Sequence, residues 1–356
     1  LLGDAAHTAH FSIGSGTKLA LEDAIKLAEV LDRPGLDDPQ ALTAALAEYE
    51  EERRTAVLRI QNAARNSTEW FEDVDRYIGF PLPQFAYALL TRSQRISHEN
   101  LRLRDRDWLE GAERWYRGAQ GAGEEAGQPL FTPYRLRDMT LANRVVMAPM
   151  LTYMADRDGY ACDRHLVHYG ARALGGTGLV MSEMLAVSPE GRPTIACPGL
   201  WDDRQVARWH AINAFVHANS DSKTCAQIGH AGARGACLAP EGGRGYDVPL
   251  ENPWPILSAS AKAWKPGGLV PAEASRADLE RIKNEFVAAA RRAYDAGFDA
   301  LELHAGHGFL LSSFITPIMN QREDALGGDL AARMAWPLEV VRAVRAVWPQ
   351  SRPLLV

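Results

Sequence analysis

Residues 298–328 read FDALELHAGHGFLLSSFITPIMNQREDALGG. Within them, the short apolar run around Ala300, Leu301 and Leu303 gives way to His304, Ala305, Gly306, His307 and Gly308. That is the signature of a buried strand leaving a sheet through a glycine-rich loop that carries two imidazoles. Upstream lies Leu279 to Ala296, strongly amphipathic at helical spacing and stopped by Gly297; downstream, a helix-like stretch from Trp336 to Trp348 leads into the apolar run Pro353-Leu354-Leu355-Val356. Strand, helix and strand thus follow in order. The same rhythm extends backwards through RVVMAPM (144–150), GLVMSEMLAV (178–187) and KTCAQIGHAG (223–232). Regular alternation without an early GxGxxG fits an α/β fold of the (β/α)8 barrel type better than a dinucleotide fold, because a barrel gathers polar side chains at the carboxyl ends of its strands. Glu183, Gln227, His230, His304 and His307 occupy such positions.

The chain of 356 residues exceeds the size at which one core usually keeps growing, so two domains are expected. With 46% hydrophobic and 24% charged residues it has ample material for folded cores. A net charge of -6 and a pI near 6.0 supply no basic footprint for nucleic acid or an anionic membrane. The four cysteines (162, 197, 225 and 237) fall in no CxxC or Cys/His metal spacing, which fits a reducing cytoplasm. Neither an apolar run long enough to span a bilayer nor a signal-type leader is visible.

Towards the amino end, GAQGAGEEAGQP (118–129) has the composition of a flexible connector. It divides a helix-rich region, 1–120, from a linker at 121–128 and a strand-and-helix region, 129–356. In the first region, Leu1-Leu2-Gly3-Asp4 reads as the end of a strand, and Gly14-Ser15-Gly16 as the opening of an amphipathic helix whose apolar face is Leu19, Ala24, Ile25, Ala28 and Leu31. Helices are also expected over 40–66 and roughly 84–116, separated by Gly79 to Pro83. The chain opens without Met and closes on a strand just beginning, so both ends read as cuts, and the barrel as incomplete.

Read by themselves, His304 and His307 fit three arrangements: loop histidines satisfied by backbone groups, a metal pair, or two donors to one carbonyl oxygen. Metal is the weakest, because no third ligand with suitable spacing accompanies them. The surrounding motifs shift the balance. PLFTPYRLRDMTLANRVVMAPM (129–150), HYGARALGGTGLVMSEMLAVSPEGR (168–192), AQIGHAGARG (226–235) and the stretch quoted at the outset, with Arg333 beyond it, resemble in order the motifs of the Old Yellow Enzyme family of FMN-binding TIM barrels. The resemblance spans roughly Pro129 to Val356. It implies an NAD(P)H-dependent reductase in which His304 and His307 polarise a substrate carbonyl and Tyr153 stands near the substrate. It also implies that Ala148, Pro149 and Met150 line the flavin, that Gln227 bonds its pyrimidine edge, and that Asn320, Arg322, Asp324 and Arg333 brace a loop. The FMN phosphate would be held by loops beyond residue 356. Where this family usually has a proton-donating tyrosine two residues after the second His, the chain has Phe309, which cannot donate.

The string GDAAHTAHFSIGSGTKLALEDAIKLAEVL (3–31) resembles the second flavin motif of FAD-dependent aromatic hydroxylases, with His10-Phe11 in place of a common Pro, as in the branch that hydroxylates aromatic CoA thioesters. The likeness implies that residues 1–120 are the helical C-terminal part of an FAD-dependent monooxygenase domain. Asp4 would then sit on the ribityl chain, with Gly14 and Gly16 beside the pyrimidine edge and helix start. Together the two resemblances imply a bifunctional enzyme using FAD, FMN, NAD(P)H and O2 on an aromatic acyl-CoA such as salicylyl-CoA or 2-aminobenzoyl-CoA, with a homodimer among the assemblies allowed. A stand-alone enone or dienoyl-CoA reductase with a vestigial amino-terminal adaptor is the alternative; a non-catalytic scaffold is the third.

Overall fold

The structure is a computed structural model, and it describes residues 1–122, 127–240 and 245–356. The chain divides into two compact units, Leu1–Glu125 and Ala126–Val356. The centre of the expected linker, 123–126, lies outside the described residues.

The first unit is helical. Helix α1 is Gly16–Leu31 and α2 is Pro39–Glu72, capped by Asp38, whose carboxylate accepts from Gln40 N and Ala41 N. The region expected as one helix-rich stretch from 84 to 116 is three helices, α3 (Leu82–Thr91), α4 (His98–Arg104) and α5 (Arg106–Ala119). Side-chain caps from Ser97 and Asp105 start the last two and set the breaks. Two expectations are corrected. The strand read at Leu1–Asp4 is a 3-10 turn, Gly3–Ala5, held by Ala6 N and His7 N donating to Gly3 O, because no neighbouring strand pairs with it among the described residues. The inward face of α1 is Leu19, Asp23 and Val30 rather than Ile25 and Leu31, which are exposed. Asp23 can turn inward because its buried carboxylate accepts from Gly3 N (3.1 Å) and Arg53 Nε (2.8 Å) and pairs with His7 Nε2 (2.6 Å).

The second unit begins with an antiparallel hairpin, β1 (Tyr134–Leu136) and β2 (Met139–Leu141), which the apolar pattern did not reveal. Met139 and Leu141 plug the amino end of the main sheet against Leu179, Met181, Cys225 and Ala300. The alternation then runs β3 (Val146–Met147), α6 (Asp163–Leu174), β4 (Leu179–Ala186), α7 (Asp203–Asn219) and β5 (Lys223–Gly229). A long excursion holding the short parallel pair β6 (Leu257–Ser258) and β7 (Ala272–Glu273) precedes α8 (Arg276–Asp295) and β8 (Ala300–Leu303). The short α9 (Leu310–Ile315), α10 (Leu330–Val347) and β9 (Leu354–Leu355) complete it.

All five main strands are parallel, in the order β3-β4-β5-β8-β9, so successive strand–helix units lie side by side as in a TIM barrel. The core between sheet and helices is built on Trp209, Phe286, Phe298, Phe314, Trp336 and Trp348. Helix α10 starts six residues earlier than its apolar pattern suggests, because Asp329 caps it through Ala332 N and Pro337 falls inside it. Among the described residues no helix is long and apolar enough to cross a membrane.

Candidate active site

The carboxyl ends of the parallel strands bring together residues that the sequence marked separately. Ala148 and Met150 follow β3 and are exposed, with Pro149 half-buried between them. On β5, Gln227 is opposite Glu302 of β8, and its Nε2 donates to Glu302 Oε1 at 2.7 Å, which leaves its carbonyl oxygen available. Glu183 is in the interior of β4, fully buried. Its carboxylate accepts from Thr152 N (3.0 Å) and Thr152 Oγ1 (2.5 Å), fastening the segment after β3 to the sheet. Tyr153, the next residue, therefore leaves this anchor in a left-handed conformation (φ 55). Burial pushes its phenol up to about 12, so it holds its proton throughout the neutral range.

His304 and His307 meet, but in series. Gly306 N donates to His304 Nδ1 at 3.1 Å, so in the neutral ring the proton sits on Nε2. That nitrogen lies 3.0 Å from His307 Nδ1. His307 Nδ1 is then an acceptor, its own proton resides on Nε2, and Nε2 has no partner among the described residues. Burial, followed by the nearby His307, drives His304 down to about 4, which keeps it neutral and preserves this direction of donation. Simultaneous donation by both rings to one oxygen is therefore not the arrangement present: one N–H, on the exposed His307, faces outward.

Phe309 lies beneath the pair, 5% exposed, its ring 4.7 Å from that of His304 and packed with Met184, Ala231 and Leu151. A small cavity of about 40 Å3 beside it is lined by Tyr153, Arg234, Cys237, Tyr246 and Asp247, among others. His230, just beyond β5, is buried and accepts from Gly232 N at its Nδ1; it is a structural corner. The expected loop brace is also present. Arg322 pairs in two places with Asp324 and donates to Ala259 O and Ala274 O, Asn320 Nδ2 donates to Phe314 O and Leu326 O, and Arg333 donates to Ile315 O and Gly328 O. Among the described residues no group of three or more His, Cys, Asp and Glu side chains is arranged to hold a metal ion.

In the first unit, Asp4 is exposed in its turn, and the carboxylate buried beside that turn is Asp23 instead. Gly14 (φ 63) and Gly16 have open space where a side chain would stand. A cleft of about 910 Å3 in this unit is lined by Leu2, His7, Tyr49, Arg53, Arg54 and Gln61, among others, and by none of Asp4, Gly14 and Gly16.

The second unit thus has a parallel β/α sheet of the barrel class, with an exposed strand end, a strand amide and an imidazole pair gathered on its strands and their exits. Residues 129–355 match the model of the NADH:flavin oxidoreductase / NADH oxidase family, and the chain belongs to that family. It is 39% identical over 240 residues to an NADH:flavin oxidoreductase of Gibberella zeae (66% of this chain, 58% of that protein). It is also 39% identical over 228 residues to an NADPH dehydrogenase of Geobacillus thermodenitrificans (64% and 62%). Among solved structures it resembles morphinone reductase in complex with tetrahydroNAD, at 30% identity and a TM-score of 0.55, covering 64% of this chain and 63% of that one. The chain thus spans about three fifths of the length of the relatives it matches.

Proposed function

We propose that the second unit belongs to an NAD(P)H-dependent, FMN-linked reductase of conjugated carbonyl compounds. The observation that carries this reading is the imidazole series ending in the outward N–H of His307. FMN, when bound, would accept hydride from NAD(P)H and pass it to the β-carbon of the substrate. The residues present suit its ring: the exposed Ala148–Met150 segment offers an apolar edge and backbone groups, and the Gln227 amide keeps a free acceptor. His307 Nε2–H donates to the substrate's carbonyl oxygen, where negative charge gathers as the β-carbon is reduced. His304, held neutral, sets the tautomer and plane of His307. Phe309 has no proton to give, so the α-carbon proton comes from Tyr153, whose phenol is protonated and shares a cavity wall with Phe309.

A finer reading adds an FAD- and O2-dependent hydroxylation of an aromatic acyl-CoA by the first unit. What supports it is the GDAAH…EDA string and the open space at Gly14 and Gly16, where backbone could approach a flavin. Asp4 would contact the ribityl chain. The family match begins at residue 129, beyond these residues.

One experiment tests both readings. Full-length, flavin-loaded protein is reduced anaerobically with NADPH and mixed with 2-cyclohexenone or with 2-aminobenzoyl-CoA. Reoxidation by the enone supports the reductase, and failure to reoxidise with any conjugated carbonyl refutes it. In a parallel aerobic assay, aroyl-CoA-stimulated NADPH and O2 consumption by a protein holding two flavins supports the finer reading; a single flavin per chain removes it.

A further inference from the structure

We propose that Arg234 is a positioning residue that acts through His307, clamping the turn that aims the outward imidazole. His307 is left-handed (φ 57), and so is Gly308 after it (φ 71). For a residue with a side chain this conformation is strained, so it persists only where the surroundings impose it. Arg234 supplies the restraint. Its Nη1 donates to His307 O at 2.7 Å, which fixes the peptide plane between His307 and Gly308.

The guanidinium is itself held on its remaining sides. Nε and Nη2 form a two-pronged pair with Asp247, each at 2.8 Å, and the group stacks over Trp264 (4.9 Å) and Phe309 (5.6 Å). Five donors in one rigid plane can meet two carboxylate oxygens and a carbonyl at once; a lysine ammonium cannot reproduce the fork. Arg234 also stands on a firm base, the 3-10 turn Gly232–Arg234 directly after β5. A side chain at Gly232 would come within 2.9 Å of Leu310 N, so the β5 exit and the β8 exit pack backbone to backbone.

The chain of restraint therefore runs from Asp247 through Arg234 to the carbonyl of His307. With that carbonyl fixed, Nδ1 of His307 stays in reach of His304 Nε2, and the free N–H keeps its direction. Asp247 neutralises the guanidinium, which suits a clamp rather than a binder of anionic substrates. Phe309 packs its ring against the same turn and closes it through its backbone N–H, which donates to Gly306 O at 3.1 Å; the side-chain donor to the His307 carbonyl is Arg234.

The catalytic consequence rests on the reductase reading above, whereas the clamp itself does not, and the test separates them. Full-length FMN-loaded protein is prepared as wild type, R234M, R234K, H307A and R234M/H307A. Two readouts are taken: reoxidation of the reduced flavin by 2-cyclohexenone, and imidazole 15N shifts of histidine-labelled protein. R234M is expected to lower kcat by ~10–100-fold, the scale of a misplacement near 1 Å, with a smaller change in KM. R234K recovers part of the loss. In the H307A background, R234M adds no further loss. The imidazole spectrum of His307 changes from that of one ring arrangement to that of a mixture in R234M. Multiplicative losses in the double variant, or an R234M spectrum identical to wild type, overturn the proposal. If wild type does not reduce enones, the functional reading fails and the imidazole spectrum still decides the clamp. If R234M does not fold, D247N, which keeps the arginine and removes half its fork, takes its place under the same criteria.

Discussion

Replacing Gly308 with alanine should destabilise the second unit more than the same change at Gly328, and the difference measures how tightly Trp264 covers the histidine turn. Both glycines are left-handed, φ 71 and φ 84. Around Gly328 a new methyl group meets nothing within 4 Å, whereas at Gly308 it would fall inside the Trp264 ring, well under van der Waals contact. G328A therefore carries only the backbone term, ~1–2 kcal/mol. G308A carries the same term and adds overpacking, for which cores show ~1–3 kcal/mol. Trp264 is 36% exposed and can swing outward, which places the added cost at the low end but removes its stack on Arg234, itself worth ~0.5–1 kcal/mol. The expected gap between the variants is ~1–2 kcal/mol, a factor of roughly 5–30 in the folding equilibrium. The entropy that alanine removes from the unfolded chain is common to both and cancels. Urea titration followed by tryptophan fluorescence reads the gap as a shift in midpoint at constant slope. Superimposable midpoints for G308A and G328A would refute the contact.

Stability should also depend on pH through the buried histidines. His230 and His304 are both lowered to about 4, chiefly by burial, against an unfolded value near 6.5. The unfolded chain takes up protons first, so their contribution is intact above pH ~6.5 and falls by up to ~1.4 kcal/mol per unit for each group as pH drops towards about 4. Urea midpoints at pH 7, 6 and 5 should fall less steeply in H230Q than in wild type; equal slopes contradict the assignment. In the first unit, burial pushes the Asp23 carboxyl up, but Arg53, His7 and Gly3 N–H outweigh it and hold it below its usual value. Its contribution is present above the unfolded value near 3.9 and is lost as pH falls through the lower folded value. D23N should cost ~3 kcal/mol or more at neutral pH, because it breaks a buried pair, and circular dichroism melting checks this. Y153F should slow flavin reoxidation by an enone ~10²-fold without changing reduction by NADPH, and an unchanged rate excludes the phenol as proton donor.

The barrel is legible because its strands, buried along almost their whole length, read as short mostly apolar runs and its helices are apolar on one face. The runs 178–187, 223–232 and 299–308 each became a parallel strand, β4, β5 and β8, and Leu279 to Ala296 became α8 within a few residues. What escaped was structure whose signal is not periodicity. β1 and β2 are three residues each, too short to alternate visibly, and are defined by where Met139 and Leu141 plug the sheet. The apolar pattern misplaces the inward face of α1 because the side chain that organises that face is charged. Asp23 is buried only because Arg53, thirty residues away, meets it, and no local pattern announces a partner at that distance.

The site shows the same division more sharply. Residue types were readable: two imidazoles on a strand exit, an amide on the neighbouring strand, a phenylalanine where a donor was expected. Their connectivity was not, since spacing alone allows His304 and His307 to act in parallel or in series. The choice is made by a single backbone group, Gly306 N, which occupies His304 Nδ1 and so fixes which nitrogen of each ring carries hydrogen. Arg234 was in view within AQIGHAGARG with no role attached, because its partners Asp247, Trp264 and His307 come from three other segments. A motif names the groups that do chemistry; the direction in which they act is set by hydrogen bonds from residues the motif does not contain. In this chain that direction runs from Gly306 N–H through the two imidazole rings to one outward donor, held from behind by a guanidinium that never needs to meet the substrate.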